Sequence, residues 1–333
     1  MKLELKRSWT CWKGEDVYFL GIDVGSISTD LVVIDEGCGI KEQLYLKTKG
    51  RPLDAIARGL RELGETFDSK EIAKAGVTGS GRSLAGAFVG ADVVKNEITT
   101  HAAAAAKIDP QVRTVIEIGG QDSKLILLEE GLVSDFAMNT VCAAGTGSFL
   151  DRQAERMGIP IEKFGEAALR GKNPAPIAGR CAVFAESDII HQQQMGVSEE
   201  NLLAGVCRAL VNSYLSNVAQ GKKLLPKICF QGGVAANQGL KAAFEEALET
   251  EIFVPREHKI MGAYGAALLA LERKDAEGTA FKGFDRGRLD VEIRETPCFD
   301  CPNQCKVVRL LHEGHAIGAF QDRCGKYQRD TAM

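Results

Sequence analysis

Two segments of this 333-residue chain resemble each other, and their similarity limits the folds that the chain can adopt. Residues 19–34 and 114–128 each contain an apolar run, an acidic residue, a glycine-bearing stretch and a second apolar run. That order is typical of a β-hairpin with a polar tip. Aligning the two tips pairs Asp23 with Glu117. The duplication predicts an α/β fold built from two similar halves.

The remaining sequence fits α/β units around these two hairpins. An alanine run within residues 97–107 strongly favours a helix, and glycines among charged residues at 276–287 indicate a linker. We therefore predict an N-terminal tail over 1–16, a first lobe over 17–100 completed by a helix over 260–273, a second lobe over 101–259, a linker over 274–287 and a small cysteine-rich module over 288–333.

The charge and hydropathy of the chain exclude several classes of protein. Its formal net charge is −4, which gives no support to a surface that binds nucleic acid or an anionic membrane. No apolar run approaches the roughly 20 residues that span a bilayer. Residues 1–16 lack the apolar core of a signal peptide. We expect a cytoplasmic protein.

The two hairpin tips carry residues suited to binding phosphate. Glycine, serine and threonine in a turn offer backbone N–H groups and hydroxyls to phosphate oxygens, and carboxylates hold Mg²⁺ directly or through water. Two unrelated hairpin turns are the simpler alternative, which the matching register of the tips disfavours. A further glycine pair follows a buried strand, where a plain strand-to-helix turn is the alternative. The candidate nucleotide and Mg²⁺ residues are Asp23, Gly25 and Ser26 in the first tip, Gly119, Gly120, Gln121, Asp122 and Ser123 in the second, and Gly232, Gly233 and Asn237 after the strand.

Ten cysteines are many for a protein of a reducing compartment, where metal binding and thiol reactivity are commoner than disulfides. Cys142 and Cys181 are each followed by small residues, and each is predicted to begin a helix. A helix N-terminus lowers the pKa of a thiol and stabilises the thiolate that binds a metal cluster. Two cysteines cannot complete a four-thiolate shell, but a symmetric dimer would supply four. Two buried structural cysteines are the alternative that the spacing leaves open.

Four more cysteines lie near the C-terminus in a pattern typical of a metal site. Cys298, Cys301 and Cys305 form a C-x₂-C-x₃-C pattern, and Cys324 follows a predicted hairpin that would return it to the first three. A second iron–sulfur cluster, a structural zinc ion and an absence of metal are the alternatives.

Several longer motifs together resemble one known family. They are Gly21-Ile-Asp-Val-Gly-Ser26, Ile118-Gly-Gly-Gln-Asp-Ser-Lys124, Cys142-Ala-Ala-Gly-Thr-Gly147, Cys181-Ala-Val-Phe-Ala-Glu-Ser187, Gly232-Gly-Val-Ala235 and Gly262-Ala-Tyr-Gly265. Over about residues 19–271 the chain resembles the ATP-dependent activators of 2-hydroxyacyl-CoA dehydratases and the ATPase subunits of benzoyl-CoA reductase. The cysteine-rich end is similar to the tail of longer, fused relatives of these activators, and also resembles the reductase of a double-cubane cluster protein.

The resemblance implies an actin/Hsp70-like fold and a homodimer in which Cys142 and Cys181 of both subunits hold one bridging [4Fe-4S] cluster. It also implies that each subunit binds ATP and Mg²⁺, with Glu97 and Glu117 as the catalytic candidates. In related folds, a carboxylate shortly before the second phosphate loop orients the attacking water, and Glu97 has a suitable position.

The resemblance further implies the partners. A ferredoxin or flavodoxin would donate one electron, and ATP hydrolysis would drive that electron to an acceptor iron–sulfur enzyme, either a 2-hydroxyacyl-CoA dehydratase or a double-cubane cluster protein. A small-molecule kinase of the same fold, and a nucleotide-dependent scaffold with a zinc-binding tail, are the alternatives.

Overall fold

The computed structural model describes residues 17–139, 145–179 and 182–330. The chain divides into two compact units. Unit 1 comprises the described residues up to Thr100 and those from Gly262 onwards, and unit 2 is His101–Met261. No helix among the described residues is long and apolar enough to cross a membrane.

The elements are numbered in chain order. The strands are β1 (Tyr18–Val24), β2 (Ser28–Asp35), β3 (Ile40–Lys47), β4 (Ile72–Thr78), β5 (Val93–Val94), β6 (Thr114–Ile118), β7 (Ser123–Glu129), β8 (Leu132–Asn139), β9 (Ile228–Gln231), β10 (Ile252–Phe253), β11 (Glu292–Pro297), β12 (Lys306–His312) and β13 (His315–Phe320). The α-helices are α1 (Pro52–Leu63), α2 (Arg82–Val89), α3 (Glu97–Ile108), α4 (Gly147–Met157), α5 (Ile161–Leu169), α6 (Ala182–Gln194), α7 (Glu199–Asn217), α8 (Gln238–Leu248), α9 (Met261–Leu271) and α10 (Lys326–Asp330).

Each unit contains a five-stranded mixed sheet, and the two sheets have matching strand orders. The orders are β3-β2-β1-β4-β5 in unit 1 and β8-β7-β6-β9-β10 in unit 2. In both sheets the first two strands of the unit form an antiparallel hairpin, and the first strand also pairs in parallel with the fourth. The internal duplication predicted from the sequence is therefore present in the topology.

Helix α9 packs directly on the sheet of unit 1 because glycines leave room for it. A Cβ atom added to Gly21 of β1 would lie 1.9 Å from the carbonyl oxygen of Ala263, and one added to Gly76 of β4 would lie 2.2 Å from that of Ala266. No side chain fits in so small a gap. The central strands of this sheet are buried, as expected where helices cover both faces.

The cysteine-rich end belongs to unit 1. Strands β11, β12 and β13 form an antiparallel sheet, and a Cβ atom added to Gly318 of β13 would lie 2.5 Å from the carbonyl oxygen of Ala87 in α2. The segment predicted as a linker is also packed, since Phe281 and Phe284 are only 9% and 5% exposed and join the apolar core of unit 1. Its glycines and charges look like a linker, but its phenylalanines hold it in place.

The core of unit 2 lies between its sheet and helices α5, α7 and α8. Phe244 of α8 makes edge-to-face contacts with Tyr214 and with Phe230, at ring-centroid distances of 5.5 and 5.3 Å. Such contacts add about 0.5–1.5 kcal/mol each beyond the area they bury. They fix α7 and α8 against strand β9.

Candidate functional site

The first hairpin tip lies between β1 and β2 in unit 1. The backbone N–H of Gly25 donates to the carbonyl of Ser28 at 2.8 Å and closes the turn. The hydroxyl of Thr48 donates to the carbonyl of Gly25 at 3.0 Å. Ser26 is exposed at the end of this turn. The structure thus places Gly25 and Ser26 where a ligand can reach them.

The Asp23 carboxylate lies in a space that two glycines keep open. A Cβ atom added to Gly262 would lie 1.9 Å from Oδ2 of Asp23, and one added to Gly79 would lie 2.5 Å from Oδ1. Any side chain at either glycine would displace the carboxylate. This close approach explains why the sequence has glycine at the end of β4 and at the start of α9.

Asp30 faces Asp23 across the hairpin, and the sequence reasoning missed it. The two residues are cross-strand partners, and Asp30 is 4% exposed. Its Oδ1 has no hydrogen-bond partner among the described residues, while its Oδ2 accepts from the Ser28 hydroxyl at 3.3 Å. Burial, and then the charge of Asp23, raise the pKa of Asp30 well above its ordinary value. The hairpin register was the available signal, because it sets these two acids opposite each other.

The second tip, between β6 and β7 in unit 2, carries a buried cation that the sequence reasoning also missed. Lys124 is 2% exposed, and its Nζ lies 2.9 Å from Glu117 Oε2 and 2.9 Å from Asp122 Oδ2. Burial raises the pKa of Glu117, and the ammonium of Lys124 opposes that rise. Glu117 is thus paired with a lysine, and its roles with Mg²⁺ and in hydrolysis stay predictions.

The turn itself spans residues 119–122. The N–H of Gly119 donates to the carbonyl of Asp122 at 3.0 Å. Gly119 and Gly120 are half-buried and Gln121 is exposed. Ser123 is fully buried, and its hydroxyl has no hydrogen-bond partner among the described residues. A Cβ atom added to Gly145 would lie 3.9 Å from that hydroxyl, so Ser123 faces the segment just after Cys142 rather than the exposed tip.

The predicted glycine pair after β9 lies beside the second tip. Gly232 has a φ of +93°, and a Cβ atom there would lie 2.8 Å from Oε1 of Glu117. Asn237 accepts the backbone N–H of Leu240 at 3.1 Å and so caps α8. Gly232 therefore has the close approach expected of it, whereas Asn237 caps α8 through its Oδ1, and its buried Nδ2 has no hydrogen-bond partner among the described residues. Gly233 follows in a short 3₁₀ turn.

The first turn of α4 is hydrogen-bonded to the second tip. The N–H of Gly147 donates to the carbonyl of Gly119 at 2.9 Å, and the N–H of Ser148 donates to that of Gly120 at 2.8 Å. The Ser148 hydroxyl donates to the same Gly120 carbonyl at 2.5 Å. Helix α4 was predicted to begin at Cys142 but begins at Gly147, where these carbonyls satisfy its first amides.

Cys142 and Cys181 lie outside the described residues, but the residues beside them are described. A Cβ atom added to Gly145 would lie 3.7 Å from the hydroxyl of Ser213 in α7. One added to Gly179 would lie 2.7 Å from the carbonyl of Ala209 and 3.4 Å from the backbone nitrogen of Ser213. The two segments that flank the cysteines therefore meet on the same turn of α7.

The C-terminal cysteines are grouped by the topology of unit 1. The Cys298 N–H donates to the Cys305 carbonyl at 2.8 Å, and the Tyr327 hydroxyl lies 3.7 Å from the Cys298 sulfur. Because β13 runs back to the start of β12, Cys324 follows at the same end of the sheet. Even so, no three His, Cys, Asp or Glu side chains of the described residues stand close enough together to hold a metal ion.

The other candidate residues have simpler surroundings. Glu97 is the half-buried first residue of α3, directly after Asn96, whose Oδ1 accepts the Thr99 N–H at 2.9 Å. Cys207 and Cys229 are buried, and burial raises the pKa of each thiol to about 12. These two thiols are structural, and the role of Glu97 in hydrolysis stays a prediction.

Three comparisons relate this chain to proteins of known structure or activity. The (R)-2-hydroxyglutaryl-CoA dehydratase activating ATPase of Acidaminococcus fermentans is 36% identical over 260 residues, which cover 77% of this chain and 98% of that protein. The crystal structure of component A of the same dehydratase matches with a TM-score of 0.71 and 34% identity, over 78% of this chain and 99% of that one. An activator of 2-hydroxyisocaproyl-CoA dehydratase from Clostridium difficile, with bound ADPNP, matches with a TM-score of 0.69 and 31% identity, over 78% and 96% of the two chains.

These matches confirm the predicted actin/Hsp70-like fold. The sequence profile of the BadF/BadG/BcrA/BcrD ATPase family covers residues 20–270, so the cysteine-rich end lies outside it. The chain belongs to the BadF/BadG/BcrA/BcrD ATPase family.

Proposed function

We propose that this protein is an ATP-driven one-electron reductase that activates a partner iron–sulfur enzyme. Two subunits share a [4Fe-4S] cluster, take an electron from a ferredoxin or flavodoxin, and use ATP hydrolysis to pass it on at low potential. Membership of an ATPase family supports the hydrolysis, and relatives that activate 2-hydroxyacyl-CoA dehydratases support an acceptor of that type. A double-cubane cluster protein is the other acceptor class.

The observation that carries the proposal is the meeting of the two cysteine-flanking segments on α7. Gly145 and Gly179 both pack at Ser213, and the sequence places Cys142 shortly before the first and Cys181 shortly after the second. Cysteines on two segments that meet can bind one cluster, whereas scattered structural cysteines have no need to meet. Because a cubane takes four thiolates, a two-fold dimer would supply them as two per subunit. The cluster would supply the electron storage.

Each unit has a polar turn suited to binding phosphate. Gly25 and Ser26 of unit 1 would offer donors to phosphate oxygens, and the backbone N–H groups of Gly120 and Gln121 in unit 2 would do the same. Asp23 would hold Mg²⁺ through its oxygen atoms, directly or by way of water. An ADPNP-bound relative supports nucleotide binding at this fold. Phosphoryl transfer needs positioning and charge stabilisation more than covalent chemistry, and these turns are suited to both.

Iron analysis tests the proposal directly. Protein purified without oxygen should contain about four iron and four sulfide ions per dimer if only the bridging cluster is present, and about twelve of each if both C-terminal modules also hold a cubane. The Cys142→Ala and Cys181→Ala variants should lose the bridging cluster and still bind ATP. A full cluster in either variant would refute the ligand assignment.

An iron-free protein would point to the other functions. A phosphorylated product formed from a small-molecule acceptor would identify a kinase of the same fold. A colourless protein that binds nucleotide and zinc, without electron transfer to any partner, would identify a scaffold. Neither outcome is expected, because a kinase or a scaffold gives no reason for the two cysteine-flanking segments to meet on α7.

A metal in the C-terminal module stays a separate prediction. The shared end of the β11–β13 sheet supports it. The four thiols, all among the described residues, do not form a ligand group in the structure.

A further inference from the structure

The hydrogen bonds between α4 and the second tip connect the two sites that the proposed function requires. Most helices leave their first backbone N–H groups to side chains or water. In α4 the N–H groups of Gly147 and Ser148 instead donate to the carbonyls of Gly119 and Gly120. The turn proposed to bind phosphate is thus also the cap of the helix that follows Cys142.

Peptide geometry means that this cap also sets the direction of the N–H groups of the turn. In a trans peptide unit the C=O and the N–H point in opposite directions. The carbonyls of Gly119 and Gly120 belong to the same peptide planes as the N–H groups of Gly120 and Gln121. Because α4 holds the two carbonyls on one side, those two N–H groups face the other side. The helix therefore fixes the direction of the donors that we assign to phosphate.

Ser148 strengthens this connection with its side chain. Its hydroxyl donates to the Gly120 carbonyl at 2.5 Å, alongside its own backbone N–H at 2.8 Å. The Gly120 carbonyl thus accepts two bonds from one residue. A Cβ atom added to Gly147 would lie 3.1 Å from the Gly119 oxygen and 2.9 Å from Val234, so the first turn of α4 packs closely against the tip. A displacement of the turn must either move α4 or break these bonds.

A second connection runs from strand β7, just after the turn, to α7. The Tyr214 hydroxyl is fully buried and donates to the carbonyl of Lys124 at 2.9 Å. Tyr214 directly follows Ser213, on which the segments of Gly145 and Gly179 both pack. The turn over 119–122 is thus hydrogen-bonded to α4, and the strand that follows the turn is hydrogen-bonded to α7.

We propose that Ser148 is a positioning residue that couples the turn over 119–122 (the nucleotide turn) to the segment that carries Cys142 and leads into α4 (the cluster segment). This inference rests on the proposed function. It assigns the coupling to one side chain, which holds the peptide of Gly120 and Gln121 in its phosphate-binding direction and moves α4 when that peptide moves. Coupling of this kind is reciprocal, so the state of the cluster segment also affects nucleotide affinity.

The test compares Ser148→Ala, which removes the hydroxyl, with Ser148→Thr, which keeps it. Hydrogen–deuterium exchange is measured on whole protein with and without ADPNP, after nucleotide binding has been established by calorimetry. In the wild type, ADPNP should slow exchange both in the turn over 119–122 and in the first turn of α4. In Ser148→Ala the turn should still respond, and the response of α4 should be clearly reduced. Ser148→Thr should retain both responses.

Electron transfer provides the second measurement. Electrons delivered per ATP hydrolysed should fall roughly 3- to 10-fold in Ser148→Ala, the factor expected for one hydrogen bond, and should recover in Ser148→Thr. Ser134→Ala is the control, because the Ser134 hydroxyl also donates to a backbone carbonyl, that of Leu127, on the exposed strand β8. Iron content should be unchanged in all three variants.

The outcomes separate this inference from the function on which it rests. A wild-type protein without iron would refute the proposed reductase, while the exchange experiment would still decide whether the turn and α4 are coupled. An α4 response to ADPNP that is the same in Ser148→Ala as in the wild type would overturn the role of Ser148. So would a wild-type α4 that does not respond to bound ADPNP at all.

Discussion

Replacing Lys124 with methionine should destabilise unit 2, and the loss should depend on pH. Methionine keeps an unbranched apolar stem and removes the charge. The ammonium of Lys124 is 2.9 Å from two carboxylates, of which the Glu117 side chain is 5% exposed and the Asp122 side chain 32% exposed. Most of the effect should come from Glu117, because solvent screens a carboxylate that is partly exposed.

The magnitude follows from the charge left behind. Removing one partner of a buried ion pair typically costs about 3–5 kcal/mol, since the other charge stays buried without compensation. For a unit of this size, 1 kcal/mol corresponds to about 2–4 °C in melting temperature. We therefore expect the transition of unit 2 to fall by roughly 6–20 °C at neutral pH.

The pH dependence has a definite sign. Burial already raises the pKa of Glu117, and Lys124 opposes that rise, so the variant should have an even higher Glu117 pKa. A group whose pKa is higher in the folded state contributes stability below its unfolded pKa and loses it as the pH rises through the folded value. The deficit of Lys124→Met should therefore be smaller at pH 5 than at pH 8.

Calorimetric melting without nucleotide at these two pH values is the assay. The control is the double variant Lys124→Met with Glu117→Leu, which removes both charges and should recover most of the lost stability, as replaced buried pairs often do. A loss below about 1 kcal/mol in the single variant, or an equal loss at both pH values, would show that Glu117 is not held as a buried charge by Lys124.

Three further predictions follow from single features of the structure. Asp30→Asn should raise the stability of unit 1 by about 1–3 kcal/mol at pH 7, because it removes a buried acid with an unpaired oxygen. Since the pKa of Asp30 is raised, the gain in stability should vanish below about pH 4. Melting curves across pH test this prediction, and a gain that persists in acid would contradict it. Gly21→Ala should abolish soluble folding, because its Cβ would meet the backbone of α9. Gly86→Ala should be tolerated, because the nearest contact of its Cβ would be a valine methyl at 3.1 Å. Equal yields of soluble protein from the two variants would contradict the packing of α9. In native protein at pH 8, a thiol reagent should label exposed Cys301 and spare Cys207, whose pKa is about 12; rapid labelling of Cys207 in mass spectra would contradict its burial.

The sequence predicted the two hairpins and the duplication well because these depend on local patterns. Apolar runs separated by short polar turns are sufficient to indicate strands, and the tips fall where the glycines do. The glycines of β1 and α9 are likewise explained once the helix is seen to lie against the sheet. The glycine motifs were visible in the sequence, but the packing of α9 on the sheet, which requires them, was not.

Lys124 and Asp30 were missed for one shared reason. A charged residue beside an apolar strand normally faces solvent, and only the cross-strand register shows that each lies buried opposite an acid. In the alignment of the tips, Lys124 and Asp30 occupy the same position. Unit 2 therefore has a neutralised pair at the point where unit 1 has two acids. Local propensity cannot reveal such a difference, because it arises from pairing between strands.

The start of α4 was predicted wrongly because its cap comes from a distant part of the chain. Small residues after Cys142 favour a helix there, but the first helical amides are satisfied by the carbonyls of Gly119 and Gly120. A contact between residues so far apart in sequence produces no periodic pattern from which it could be predicted. The packed segment before β11 was missed for a similar reason, since two phenylalanines outweigh its glycines.

The packing of the C-terminal strands on unit 1 determines how this protein can be shortened. Leu310 of β12 is completely buried in the same apolar cluster as Phe281 and Phe284. Burying each such side chain contributes about 1.5–3 kcal/mol, or roughly 5–9 kcal/mol for the three, which approaches the whole stability of an ordinary domain. A protein truncated after Leu271, where its family resemblance ends, should expose the apolar surface of unit 1 that these three side chains cover, and it should aggregate. Its inactivity would then reflect a damaged core rather than the loss of the C-terminal cysteines.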